Sequence, residues 1–341
     1  MKQATILFFL FFSIVNLFGQ NVNTLNEQGN ALIERNEIDS AIGVFSEIIK
    51  LDKYHSNSYY NLGVCYMMKG EFNSSIPFFN KTILLDSNYH EARFNRAAAY
   101  SKTNNFLFAI FDYEYYIQKV PEDSLAYYNK AMVHSEMGEK ENALIELNNA
   151  LKLSPNYAKA IYERAILYRS QLEYAKALSD IKSCLRFDKM DSMLLIQQAD
   201  LNFLLNNYII ADSLYTNLSK GSKNIYFLEQ IAFSRMYAGK NWPCLEAFAL
   251  LIKQNPNNSS YYYNRAVIYI NIDKNKEAEL DLTRAIELKP KNLGEQLNLR
   301  GIARYNQELF NEACFDWEQA SNLRNKEGKV NLDKYCEKRN E

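Results

Sequence analysis

The side chains best able to do chemistry are few and scattered. Five cysteines stand at Cys65, Cys184, Cys244, Cys314 and Cys336, and three histidines at His55, His90 and His134; none shares the short spacing of a zinc site. No Ser, Cys or Lys has a nearby histidine in a nucleophile motif, and 11 glycines leave little material for a phosphate-cradling loop. Adjacent carboxylates such as Asp112 and Glu114 read more simply as helix charges than as glycosidase acids. One charge pattern recurs: a basic residue followed sixteen residues later by an acid, as in Arg96 with Asp112, Lys130 with Glu146, Arg164 with Asp180, Arg265 with Asp281 and Arg300 with Asp316. An Arg beside an Asp is compatible with acid, base or anion-binding work. Five repetitions at one spacing argue for a structural role instead, so no catalytic residue, metal or cofactor is expected.

What would position such pairs is helix. The 341 residues hold 11 Gly and 6 Pro, where average usage gives roughly 24 and 17. A balance of 39 basic against 40 acidic side chains offers no electrostatic footprint for nucleic acid or an anionic membrane surface, and 48% hydrophobic residues exclude disorder. At the start, Lys2 precedes a largely apolar run over residues 4–18. That run is too short for a membrane span of about 20 residues and fits a secretory signal peptide over 1–20. The expected consequence is export to the periplasm or cell surface, with an uncleaved anchor as the alternative. No cysteine lies near Gln20 to take a lipid, and no later stretch is long and apolar enough to span a bilayer.

The chain also repeats itself. Aligning Tyr59-Tyr60-Asn61-Leu62-Gly63 with Tyr127-Tyr128-Asn129-Lys130-Ala131 and Tyr262-Tyr263-Asn264-Arg265-Ala266 gives units starting at 22, 56, 90, 124, 158, 192, 225, 259 and 294. Position 8 of the unit is Gly or Ala in every copy, as in Gly63 and Ala131; position 20 is always small, as in Ala41 and Ser75; position 24 is always large and apolar, from Phe45 to Trp317. Two small positions let antiparallel helices approach closely, and the large residue fills the space beside them. Each unit therefore reads as a helix hairpin. Position 15 is Gly, Asn or Asp in seven copies, as the left-handed close of a first helix requires, and Pro121, Pro155, Pro256 and Pro290 stop second helices at position 32. The charge pairs occupy positions 7 and 23, expected to face each other across the helix contact. In the other four copies both positions are uncharged together: Gln28 with Val44, Leu62 with Phe78, Gln198 with Leu214, Ile231 with Ala247.

A 34-residue hairpin of this pattern resembles the tetratricopeptide repeat. The second copy carries Tyr59, Leu62, Gly63, Tyr66 and Phe79, and the eighth carries Tyr262, Ala266, Tyr269, Ala278, Ala285 and Pro290. Asn202 and Arg235 replace the family's Tyr at position 11, and Leu218 and Leu251 its Ala at 27, so the sixth and seventh copies are expected to bend differently or to be looser. The resemblance implies an all-α solenoid forming a right-handed superhelix, with copies over 22–55, 56–89, 90–123, 124–157, 158–191, 192–224, 225–258, 259–292 and 294–327 and a capping helix over 328–341. It further implies a concave groove lined by first helices. Position 5 there supplies Tyr60, Phe94, Tyr128, Tyr162 and Tyr263; position 9 supplies Val64, Met132, Ile166 and Phe233; Lys102, Glu136, Lys159 and Arg169 give polar edges. Packing alone is the competing account of the position 5 rings. The family's clamp for chaperone carboxylates is not present, because Asn26, Glu91 and Asn95 stand where cations are needed. The closing segment resembles that of exported bacterial members, which would bring Cys314 opposite Cys336 for a disulfide. The expected function is a non-enzymatic scaffold that binds a protein or peptide; an enzyme-associated or carbohydrate-handling envelope protein is the alternative.

Overall fold

A small residue at positions 8 and 20 and a bulky one at 24, repeated along the chain, produce helix hairpins and, among the described residues, no strand. The computed structural model describes residues 22–222 and 224–336. First helices of the copies are α1 (residues 22–34), α3 (Ser56–Met68), α5 (His90–Lys102), α7 (Ser124–Glu136), α9 (Ala158–Ser170), α11 (Ser192–Leu204), α13 (Ile225–Tyr237), α15 (Ser259–Asn271) and α17 (Leu293–Tyr305). Second helices are α2 (Ile38–Leu51), α4 (Phe72–Leu85), α6 (Phe106–Lys119), α8 (Lys140–Leu153), α10 (Tyr174–Cys184), α12 (Tyr208–Leu218), α14 (Asn241–Gln254), α16 (Asn275–Glu287) and α18 (Phe310–Asn322), and α19 (Lys326–Tyr335) closes the series. The signal-like run lies outside the described residues, as do 337–341 of the expected cap, whose helix begins two residues before 328.

Each hairpin turn rests on a left-handed residue. Position 15 has positive φ in all nine copies, including Leu172 at 62° and Glu308 at 65°, where the sequence supplies neither Gly nor Asn. The reason is the hydrogen bonding of the helix end: Gly70 N–H reaches Met67 O and Glu71 N–H reaches Tyr66 O, both at 2.9 Å, which uses carbonyls the helix would otherwise leave unpaired. Beside the turn, a β-carbon on Gly63 would lie 2.6 Å from the Phe79 ring, and one on Gly301 would lie 2.5 Å from Trp317. At these positions glycine is required by the ring that faces it. Phe45, Phe79 and Phe248 at position 24 are completely buried, the kind of burial worth about 1.5–3 kcal/mol per side chain.

The chain divides into two compact units between Ser170 and Gln171, inside the fifth copy. In the first, one core gathers Ala41, Phe45, Ile48 and Leu62, and another Ala97, Ala109, Tyr113 and Val133. In the second, the sixth and seventh copies share a large cluster built around Tyr215, Phe227, Phe248 and Leu251. Leu251, one of the departures from the family pattern, is completely buried there; the substitution for alanine thickens this core instead of loosening it.

Candidate functional site

Four of the recurring charge pairs meet across the helix contact. Arg96 donates through Nε and Nη2 to both oxygens of Asp112 at 2.7 Å, and Arg265 does the same to Asp281 at 2.7 Å. Arg300 grips Asp316 at 2.9 and 2.7 Å, and Lys130 sits 3.0 Å from Glu146. Asp112, Asp281 and Asp316 are buried. Burial opposes the charge on Arg96 and Lys130, yet their carboxylate partners hold both pKa values above the usual range. Arg164 belongs to the first unit and the buried Asp180 to the second. Carboxylates so engaged are fixed hydrogen-bond acceptors.

Sequence reasoning missed where each cation's remaining hydrogen bonds go. For four of the five, position 25 of the preceding copy supplies an acceptor: Asn80 to Arg96 at 2.7 Å, Asn148 to Arg164 at 2.7 Å, Thr283 to Arg300 at 3.3 Å, and Glu114 to Lys130 at 3.0 Å; Ala249 stands at that position before Arg265. A second link was also unread. Arg235 at position 11 bonds Asp212 at position 21 of the copy before, at 3.0 Å, and Lys240 reaches the same carboxylate at 3.0 Å. Arg304 repeats the move, meeting Glu279 at 2.9 Å and Asp316 at 2.9 Å. The signal available was that Arg at 11 occurs only where an acid stands at 21 of the previous copy.

The expected groove residues divide by unit. In the first, Tyr60 stacks on Tyr89 with centroids 4.8 Å apart and accepts a hydrogen bond from Asn95 Nδ2 at 2.9 Å. Phe94 packs on Tyr116 at 5.0 Å and Tyr113 at 5.6 Å, and Tyr128 on Tyr157 at 5.1 Å. Each ring is half-buried, so packing accounts for one face and solvent touches the rest. Burial raises the pKa of Tyr60 and of Tyr128. Val64, Met132, Tyr162, Ile166 and Arg169 are likewise half-buried on α3, α7 and α9, and Asn61 bonds Asn30 at 3.0 Å beside them. In the second unit Phe233 packs on Phe248 at 6.0 Å, and burial, with Glu295 and Glu327 nearby, raises the pKa of Tyr263. Carboxylates also occupy this row: Asp200 at position 9 accepts from Tyr215 at 2.6 Å and Tyr226 at 2.8 Å, and Glu229 at position 5 accepts from Tyr261.

The remaining reactive side chains have structural posts. His55 accepts the Ser58 N–H at the start of α3, at 3.3 Å, and His134 bonds Glu139 at 2.7 Å. No group of three or more His, Cys, Asp or Glu among the described residues is arranged to hold a metal ion, and no described helix is long and apolar enough to cross a membrane. Cys314 on α18 is bonded to Cys336 beyond α19, with Cα atoms 5.8 Å apart. Burial pushes the thiols of Cys65 and Cys184 up to about 11 and that of Cys244 up to about 12, so they stay protonated.

Family models described as tetratricopeptide repeat match residues 26–90, 125–157 and 259–292. This chain is a tetratricopeptide repeat protein. Among solved structures, pilF of Pseudomonas aeruginosa is 16% identical with a TM-score of 0.52, covering 62% of this chain and 97% of that one, a likeness of fold. MamA protein is 22% identical over 50% of this chain and 93% of that one, with a TM-score of 0.47. A tetratricopeptide repeat protein from Parabacteroides merdae is 18% identical over 76% of this chain and 98% of its own, with a TM-score of 0.46. No curated protein matches this tetratricopeptide repeat protein in sequence. Its repeat fold is consistent with protein–protein interaction, and proteins built from this repeat are generally non-enzymatic scaffolds.

Proposed function

We infer that this protein is an exported, non-enzymatic scaffold that holds a segment of a partner protein against the first helices of its first unit. The observation that carries the reading is the row Tyr60, Phe94, Tyr128 and Tyr162, one ring per copy at the same position, each half-buried and none withdrawn into the core. Val64, Met132 and Ile166 run beside it at position 9. Rings that lose part of their surface already surrender little side-chain freedom on binding, and an extended or helical segment with apolar anchors is the ligand such a strip accepts. Arg169 would stand at its polar edge. Export rests on the charged start and apolar run of residues 1–20.

The test is affinity capture from the cell-envelope fraction with wild-type protein and with the Tyr128→Ala, Tyr162→Ala variant, after thermal melts establish that the variant is folded. Loss of the partners in the variant is the expected result; the same partners at the same yield would remove this face as the binding site. Intact mass of the mature protein tests export, with a chain shortened by the signal segment expected.

A further inference from the structure

The last helix packs along α18, buries one residue there, and is tied on by one covalent bond. α19 has 10 residues, below the length of about 12–15 at which an isolated helix is even marginal in water, and among them only Gly328 is buried. Gly328 lies so close to α18 that a β-carbon there would sit 2.6 Å from that of Ala320, and Asn331 bonds Asn298 at 2.9 Å. Tyr335 covers Tyr305 at 4.6 Å and Trp317 at 5.6 Å. Val330 remains 60% exposed. Immediately after Tyr335, Cys336 is tied to Cys314, and both cysteines are only half-buried.

We propose that the Cys314–Cys336 bridge is a redox latch on the C-terminal cap. A dithiol reductant opens it in two steps. Its thiolate attacks one sulfur to form a mixed disulfide and expel the other cysteine as a thiolate, which takes up a proton. Its second thiol then displaces the remaining cysteine; the reductant leaves as a disulfide, and Cys314 and Cys336 become two thiols, two electrons and two protons having been transferred. The bridge spans 22 residues, and closing a loop of that order favours the docked arrangement by roughly a hundredfold in the chain-entropy account. Without it α19 leaves α18, and the Tyr305 and Trp317 rings become the open end of the repeats. The three other cysteines are buried thiols of raised pKa and do not exchange into the bridge.

Hydrogen exchange on the full chain tests the latch in three states: oxidised, reduced with dithiothreitol, and the Cys314→Ser, Cys336→Ser variant without reductant. A Trp242→Phe background leaves Trp317 as the reporting tryptophan. Amides of α19 are expected to exchange about a hundredfold faster in the second and third states than in the first, with Trp317 more open to acrylamide quenching, while α3 to α8 keep their protection. Two results overturn the proposal: α19 protection unchanged by reduction and by the variant, or loss of protection spread through α3 to α8, which would make the bridge a support of the whole chain and not a latch on its cap.

Discussion

The ninth copy and the sixth and seventh copies bury carboxylates in different ways. In the ninth, Asp316 is completely buried and receives two guanidinium groups, from Arg300 within its own copy and from Arg304. In the sixth, positions 7 and 23 hold Gln198 and Leu214, and the buried carboxylate has moved to Asp212, whose partners Arg235 and Lys240 come from the next copy. The first arrangement ties the two helices of one hairpin; the second ties one hairpin to its neighbour. The lesson is that a repeat can give up its internal pair without giving up a buried charge, provided the next copy supplies the cation.

The ranking of these sites is open to measurement. Asp316→Ala takes from two guanidiniums the buried carboxylate they share, leaving Arg304 with Glu279 and Arg300 with Thr283, and is expected to cost about 3–5 kcal/mol. Asp212→Ala should cost about 1–3 kcal/mol, because the side chain of Lys240 is 38% exposed and can turn to water. Native-state hydrogen exchange of α17 and α18, and of α12 and α13, reads both; equal losses would erase the distinction. Next in size is the eighth copy. Asp281→Leu alone should lose about 3 kcal/mol, whereas Arg265→Leu with Asp281→Leu should return to within about 1 kcal/mol of wild type. Leu62 and Phe78 already occupy those two positions in the second copy and share its core. A double variant as unstable as the single would show that the pair supplies net stability and is not an alternative to apolar packing.

Smaller effects follow at the edges of the scheme. Asn80→Ala removes the acceptor that links Arg96 to the preceding copy and should cost about 1 kcal/mol in urea unfolding. Glu163 supplies the contrasting case of a half-buried carboxylate that meets no cation among the described residues, and burial raises its pKa. A carboxyl whose folded pKa is raised favours the folded state most when protonated; that contribution is lost as pH rises from its ordinary value through the raised one. Glu163→Gln is therefore expected to raise Tm by about 1–2 °C at pH 7 and to change nothing near pH 3. A gain that persists at pH 3 would assign the effect to packing instead of charge.

Much of this was legible because repetition supplies its own controls. A small residue at 8 in nine copies can be read as a contact, and two positions that gain and lose charge together can be read as partners. The links between copies were harder. Asn80, Glu114, Asn148 and Thr283 share only an oxygen, and nothing in a neutral amide announces that it faces a guanidinium sixteen residues on. Leu172 and Glu308 broke the turn pattern in sequence yet adopt the same left-handed φ as Asn36 and Gly70, because the flanking helices dictate the backbone there. The groove positions came through the family resemblance; that Tyr60 and Tyr128 rest on Tyr89 and Tyr157 depends on loop residues whose direction no periodicity reveals. The division at Ser170 has no sequence mark either.

The acceptors at position 25 carry a consequence for how such a gene can change. Three arginines are met by neutral oxygens, from Asn80, Asn148 and Thr283, and the one lysine by a second carboxylate, Glu114. A guanidinium that already spends its fork on an aspartate needs only a neutral acceptor for its remaining nitrogen, while an ammonium can share its charge between two acids. Copies are thus matched to their upstream neighbour, like successive links cut to fit, and a duplication or exchange that moved the fourth copy behind the second would set Lys130 against Asn80. A rearrangement that sets the lysine against a neutral acceptor must therefore be followed by repair at the seam, which gives the order of the copies a memory.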